Sequence, residues 1–306
     1  MRSRGLHHVT TIIGDVNRSA RFYAAILGLS RVKKTVCYDD PGSYHIYYGD
    51  PLGRPGTIIS TLAWRCVPQG LVGVGEVCQT TFRIPEGSIG FWIERLTAAN
   101  VPCMSDQSPF GEPMILLADP DGTSIALREA TGTPLSSSVS THAFPLVHGL
   151  QEVTLSMREA DATIDILQDV FGFDRILQVD NCTRFIAHEG LGGSVTLRTI
   201  GPSSRGRLGG GTIRHVAFRA TDENDLSDMA DKLAKTYNIS VTERIQRTYL
   251  TAIGFRAPCG ILFEIATDGP GFAIDESPDR LGTGLALPPF LEERRPELQS
   301  ILPSLP

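Results

Sequence analysis

No stretch of the chain stays apolar for the roughly 18 residues that a membrane helix needs. There is no basic block either. Lys and Arg total 28 against 34 Asp and Glu, a net charge of −6, which argues against nucleic acid as the main partner. The six cysteines, Cys37, Cys66, Cys78, Cys103, Cys182 and Cys259, include no C-x-x-C pair. That spacing provides neither a disulfide framework nor a structural zinc site, so they are expected to be reduced thiols of the core. The opening residues, Met1 to His8, run directly into strand-like sequence, so no secretory leader is expected and the expected location is cytoplasmic. With 306 residues, 41% of them apolar and 20% charged, the chain has enough apolar material for two packed domains, and wholesale disorder is excluded.

What is present is a repeat. Four segments open on the same strand pattern: Leu6-His-His-Val-Thr, Val77-Cys-Gln-Thr-Thr, Leu150-Gln-Glu-Val-Thr and Ile213-Arg-His-Val-Ala. Their third slots, His8, Gln79, Glu152 and His215, follow at comparable intervals, the mark of a repeated supersecondary unit. A helical stretch follows each opening. Val16, Ala20, Tyr23 and Leu27 share one helix face, and Gly28 is placed to stop the helix. Ala160, Ile164, Leu167 and Phe171 repeat the pattern before Gly172, and Leu226, Met229 and Leu233 mark the fourth helix. The second helix is expected around Phe91 to Leu96. Short strands come next, with hairpin turns at Asp119-Pro-Asp-Gly and Ala257-Pro-Cys-Gly.

Each unit therefore reads strand, helix, then three strands. One such unit is too small to stand alone. The expected fold is α+β: four βαβββ modules that pair into two domains, bury their helix-lined faces and leave concave mixed sheets. The expected boundaries are 1–132 and 146–272, with a Ser/Thr-rich linker around Thr131–Ser140 between them. Residues 273–306 form a Pro-, Glu- and Arg-rich tail expected to wrap the surface.

Registration of the modules turns composition into chemistry. The slot four residues after the hairpin glycine holds Ala126 in the second unit and Glu264 in the fourth, and nothing acidic occupies the matching regions of the first and third. His8, His215 and Glu264 are the metal-competent residues that remain. Two imidazoles and one carboxylate on rigid strands suit a divalent first-row ion and leave one face of an octahedron open. That favours iron(II) chemistry with oxygen, or another divalent ion. Taken singly, a strand histidine is more often a satisfied structural group. Glu264, however, lies between Phe263 and Ile265, where a carboxylate needs a cation or a strong partner. Arg256 is the competing partner. A joint site requires modules one and four to meet.

With these residues the chain resembles the vicinal oxygen chelate superfamily of glyoxalases, bleomycin-resistance proteins and extradiol dioxygenases. Within it the chain is most similar to ring-cleaving dioxygenases of the hydroquinone type. Leu6-His-His-Val-Thr, Tyr44-His-Ile-Tyr-Tyr-Gly-Asp, Gly209-Gly-Gly-Thr-Ile-Arg-His-Val-Ala-Phe and Ile261-Leu-Phe-Glu-Ile-Ala-Thr-Asp-Gly-Pro-Gly-Phe carry the resemblance. It implies glyoxalase-like domains, with Fe(II), or less often Mn(II), held by His8, His215 and Glu264. It also implies a small hydroxylated aromatic substrate and dioxygen as reactants. His7 and Arg247 match positions that could hydrogen-bond substrate oxygens. The family commonly has His where this chain has Arg214, and Tyr where it has Gly254; Tyr249 is the candidate replacement. Gln79 and Ala126 provide no fourth ligand of the glyoxalase kind. Two alternatives stand beside the dioxygenase: a glyoxalase-like lyase or isomerase, and a binding protein without turnover.

His45, His148 and His188 read as structural or surface groups, with His45 the one that could support the site. Gly206-Arg-Leu-Gly-Gly-Gly lacks the Lys and following helix of a phosphate loop. Lys33-Lys34 reads as a solvated strand edge that could attract an anion. The expected partners are the aromatic substrate and dioxygen, taken up by a monomer or a homo-oligomer.

Overall fold

The computed structural model describes residues 4–129 and 147–305; the expected linker lies outside them. Module one runs β1 (Leu6–Ile13), α1 (Val16–Ala20) continued by a π-helical turn (Arg21–Ile26), β2 (Ser30–Val36), β3 (Tyr44–Gly49) and β4 (Ile58–Ala63). Module two has β5 (Glu76–Ile84), α2 (Ile89–Ala98), β6 (Cys103–Gln107), β7 (Pro113–Ala118) and β8 (Ser124–Glu129). Module three repeats this as β9 (Gly149–Met157), α3 (Asp161–Asp169), β10 (Asp174–Val179), β11 (Cys182–Ile186) and β12 (Ser194–Thr199). Module four has β13 (Ile213–Ala220), α4 (Glu223–Tyr237), β14 (Ile245–Gln246), β15 (Leu250–Arg256) and β16 (Leu262–Pro270). Local chemistry sets these boundaries. The Asp15 and Asp222 carboxylates accept from the first free N–H groups of α1 and α4. Gly28 and Gly172 take the left-handed conformation that ends the first and third helical segments.

The four modules form two mixed eight-stranded sheets, ordered β14-β15-β16-β13-β1-β4-β3-β2 and β10-β11-β12-β9-β5-β8-β7-β6. The sheets do not follow chain order. β1 pairs antiparallel with β13, and β5 with β9, so modules one and four share one sheet and modules two and three the other. Helix-side contacts tie the sheets together. The Tyr23 hydroxyl donates to Asp119 at 2.9 Å, joining modules one and two. Phe171 stacks on Phe218 with ring centroids 4.0 Å apart, joining modules three and four.

Beyond β16, short 3₁₀ turns lead into α5 (Arg295–Ile301). The tail does more than wrap the surface. Leu287, Leu291, Leu298 and Leu302 join the main core. Phe272 and Leu281 form a small separate core with Val32, Tyr47, Ile58 and Tyr249. Lys33 is not at a solvated edge: it is fully buried, with Nζ 2.5 Å from both Asp275 and Glu276 of the tail. An ammonium can lie so deep because two carboxylates replace its water. The cysteines are free thiols: Cys37 and Cys182 are buried, Cys103 and Cys259 pack against the main core, Cys78 is half-buried, and Cys66, which is exposed, departs from the core expectation.

Candidate metal centre

The centre of the first sheet brings together the residues from the chain's two ends. In the β1/β13 ladder, Thr10 faces His215 and His8 faces Ala217, and Ala217 in turn pairs with Glu264 on β16. His8 Nε2 lies 3.1 Å from His215 Nε2 and 3.6 Å from Glu264 Oε1, and His215 Nε2 lies 4.0 Å from Glu264 Oε2. One donor atom from each falls within 4.8 Å of the others, and all three residues are buried. Donors around an ion with bonds of about 2.1 Å stand at similar spacings.

The hydrogen bonds favour an ion here. His7 Nδ1 is 3.0 Å from His8 Nδ1, and the His7 ring also bonds the Thr267 backbone. A carbonyl only accepts, so His7 spends its N–H on Thr267 and offers a lone pair to His8. His8 must then carry its proton on Nδ1, which leaves the Nε2 lone pair facing the centre. Burial, the largest effect, pushes His8 and His215 well below the ordinary histidine range and His7 down to about 4, so all three rings are neutral. The His8 Nε2 lone pair thus lies close to a second imidazole nitrogen and a carboxylate. A cation resolves that crowding, and two nitrogens with one carboxylate are the donor set that a divalent transition metal accepts.

The cation on the protein side of Glu264 is Arg247, with Nη2 3.6 Å from Oε2. Arg256 plays no such part; it is exposed and donates to the Gly260 carbonyl. A chain of buried polar groups leads away from the triad. Thr10 Oγ1 is 2.8 Å from His215 Nε2 and 2.8 Å from Ser60 Oγ. Ser60 is 3.0 Å from His45 Nε2, and His45 Nδ1 is 3.3 Å from the Tyr47 hydroxyl, which in turn bonds Arg247. His45 is therefore part of the site's surroundings, and Thr10 and Ser60 are additions that the sequence reading missed.

Ser60 had a signal in the sequence. The hairpin-glycine spacing holds in every module: Ser60, Ala126, Thr196 and Glu264 each follow by four residues a glycine with positive φ, namely Gly56, Gly122, Gly192 and Gly260. The ladders confirm the equivalence, since Ser60 faces Thr10 as Glu264 faces Ala217. In the second sheet the corresponding slots hold Gln79, Glu152, Ala126 and Thr196. Its one carboxylate is already engaged: Glu152 Oε2 meets Arg184 at 2.9 Å, Ser194 at 3.0 Å and Arg128 at 3.2 Å.

Residues 5–127 and 149–265 match the model of the Glyoxalase/Bleomycin resistance protein/Dioxygenase superfamily. The chain belongs to that superfamily. Over its full length it is 37% identical to the whole of "Putative ring-cleaving dioxygenase MhqE" of Bacillus subtilis (strain 168). It is 27% identical to the "Chlorohydroquinone/hydroquinone 1,2-dioxygenase" of Sphingobium indicum, covering 97% of this chain and 95% of the relative. A crystal structure titled "putative dioxygenase" from B. subtilis superposes with a TM-score of 0.93 at 35% identity, covering 100% of this chain and 98% of the other.

Against that superfamily background, the remaining expected site residues separate. His7 and Arg247 touch triad members directly. Tyr249 does not bring its hydroxyl to the triad; it donates to Asp275 at 2.9 Å, and its ring lies under the Lys33 ammonium. Gly254 pairs with Glu264 across the ladder, and a Cβ there would make ordinary van der Waals contact, at 3.8 Å, with the Thr242 side chain and the Phe263 carbonyl. The Arg214 guanidinium lies over the Trp64 ring, 5.7 Å from its centroid. No helix is long and apolar enough to cross a membrane among the described residues.

Proposed function

We propose that the protein is a metal-dependent ring-cleaving dioxygenase that opens a hydroxylated aromatic such as a hydroquinone or catechol. The observation that carries this reading is the buried His8–His215–Glu264 triad, with two neutral imidazoles and one carboxylate converging on one point. The named activity of the Sphingobium relative supports the substrate class. The reaction breaks one ring carbon–carbon bond, and both atoms of dioxygen end in the product.

His8, His215 and Glu264 would hold iron(II), or manganese(II). When bound, the ion supplies Lewis acidity that favours the ionised phenol, and redox chemistry with dioxygen. His7 fixes the tautomer of His8. Burial works against the charge on Arg247, but Glu264 together with Tyr47 and Tyr38 more than restores it, so a guanidinium faces the centre. There it favours negative charge on a substrate oxygen. The Thr10 hydroxyl lies 2.8 Å from both His215 Nε2 and Ser60 Oγ; with the His215 lone pair given to an ion, it would be free to bond Ser60 or a group on the open face. Tyr249 stands behind the site, packed on Phe272 and donating to Asp275.

The glyoxalase-like alternative needs a fourth protein ligand. Its slot holds Ser60, a neutral hydroxyl already bonded to Thr10 and His45. The deciding experiment is anaerobic loading with iron(II), followed by oxygen-uptake screening against hydroquinones and catechols. One equivalent of bound metal and oxygen-dependent turnover are expected, with both lost in His215→Ala. Turnover without oxygen, with nickel or zinc, would select the alternative. Absence of iron(II) affinity would leave only a binding protein.

A further inference from the structure

The tail and the site share a wall. Tyr47, whose ring centroid is 6.5 Å from that of His8, packs at 5.0 Å on Phe272, and Phe272 packs at 5.2 Å on Tyr249. Lys33 holds the segment that follows Phe272 through Asp275 and Glu276, and Asp275 also accepts from Tyr249. Glu276 in turn accepts from the Gly282 and Gly284 backbone, so the latch also sets the path of the tail beyond it. Next to this segment is a cavity of about 620 Å³. Arg247 and Tyr38 line one side of it, and Ile274, Pro288, Pro289 and Phe290 of the tail line the other. Arg247 is common to the cavity and the triad, because its guanidinium also reaches Glu264.

Two features of the cavity indicate what it takes. Its volume is in the range of about 300–1,000 Å³ that houses drug-sized ligands, far more than a bare diol ring fills. Its tail side is apolar and partly uncovered: Ile274 and Phe290 are 57% and 65% exposed, although Phe290 still meets the Tyr38 ring edge-on at 5.8 Å. Large apolar side chains grouped at a cavity mouth point to an apolar ligand.

We propose that the C-terminal segment is the substrate-selecting wall of the enzyme. The cavity between it and Arg247 receives an apolar substituent on the aromatic ring, and Lys33 is the positioning residue that fixes the wall in place. This deepens, and rests on, the ring-cleaving reading of the triad. The substrate class becomes an alkyl- or aryl-substituted hydroxyaromatic. A bare hydroquinone or catechol ring would leave most of the cavity to water.

The test uses the metal-loaded protein with two probe series: hydroquinones carrying alkyl chains from methyl to hexyl, and the matching alkylphenols as ligands that are not cleaved. For both kcat/KM and alkylphenol affinity, a gain of about fourfold per methylene is expected until the cavity is full, the factor that burial of one methylene supplies. Phe290→Ala and Ile274→Asp flatten that dependence and leave bound metal at one equivalent. Phe290 is so exposed that its truncation does not threaten folding. Lys33→Met flattens it too, acts on KM more than on kcat, and speeds hydrogen exchange of the 272–286 amides. A chain-length dependence that is absent, or unchanged in Phe290→Ala and Ile274→Asp, overturns the proposal. If no diol is turned over at all, the dioxygenase reading fails, while the alkylphenol series still decides whether the wall selects.

Discussion

One proton decides how the candidate centre is built. With its own N–H directed to the Thr267 backbone, His7 accepts a hydrogen bond from His8 Nδ1, and that leaves His8 to present its Nε2 lone pair to the centre. Replacement of His7 by Phe keeps an aromatic ring but removes the acceptor, so His8 is free to take either tautomer. Manganese(II) affinity is expected to fall about 10–100-fold in His7→Phe, the usual effect of losing a partner that orients a ligand. Titration of the metal-free protein, alongside circular dichroism to check the fold, measures this; an unchanged affinity would refute the tautomer assignment. The three triad residues were legible in the sequence because repeat registration singles out a histidine, a histidine and a glutamate at matching slots. Lys33 was not. A lysine pair on a strand gives no sign that one member faces two carboxylates about 240 positions away, since only tertiary packing brings Asp275 and Glu276 to it.

At the level of elements, the same module has been used four times with different slot residues. β1, β13, β4 and β16 place His8, His215, Ser60 and Glu264 around one point, and β5, β9, β8 and β12 place Gln79, Glu152, Ala126 and Thr196 in the corresponding arrangement. Module boundaries were readable where Gly28 and Gly172 stop the first and third helices and where the turns ending at Gly122 and Gly260 mark hairpins; Asn100 and Asn238, which end the other two helices with positive φ, give no comparable signal. The tail was harder to read, because 3₁₀ turns have no periodicity and Phe272 and Leu281 look like isolated apolar residues. In the second sheet, Glu152 is a buried carboxylate held by two guanidiniums. Removing it strands Arg128 and Arg184, with Glu112 the remaining partner of both. Glu152→Ala is therefore expected to cost about 3–5 kcal/mol of stability while metal stoichiometry stays at one per chain. Urea unfolding and metal analysis of the same preparation separate the two effects. A second metal lost with Glu152 would mean that the second sheet also binds an ion.

Across the whole molecule, the centre links stability to protons and to metal. His7, His8, His45 and His215 are all buried and neutral, with burial the main cause in each case. Nearby positive charges, Arg247 foremost, push His45 and His215 further down. An unfolded histidine titrates near 6.5, and His7 in the folded protein near 4. Below 6.5 the unfolded chain therefore binds more protons than the folded one, and stability must fall as the pH falls. The contribution is complete above about 6.5. For His7 it is lost on the way down to about 4, and for the other three the loss continues to lower pH. Each group contributes at most about 1.4 kcal/mol per pH unit, so four acting together can remove a large part of a typical 5–15 kcal/mol. A bound ion opposes this loss, because it binds only the folded, unprotonated triad and joins β1 to β13 and β16, strands from opposite ends of the chain. The urea midpoint of metal-free protein is expected to drop steeply between pH 7 and pH 5, and that of manganese-loaded protein to hold over the upper part of that range. A flat midpoint in the metal-free protein would mean that these imidazoles accept protons without unfolding, which is incompatible with a site buried as this one is.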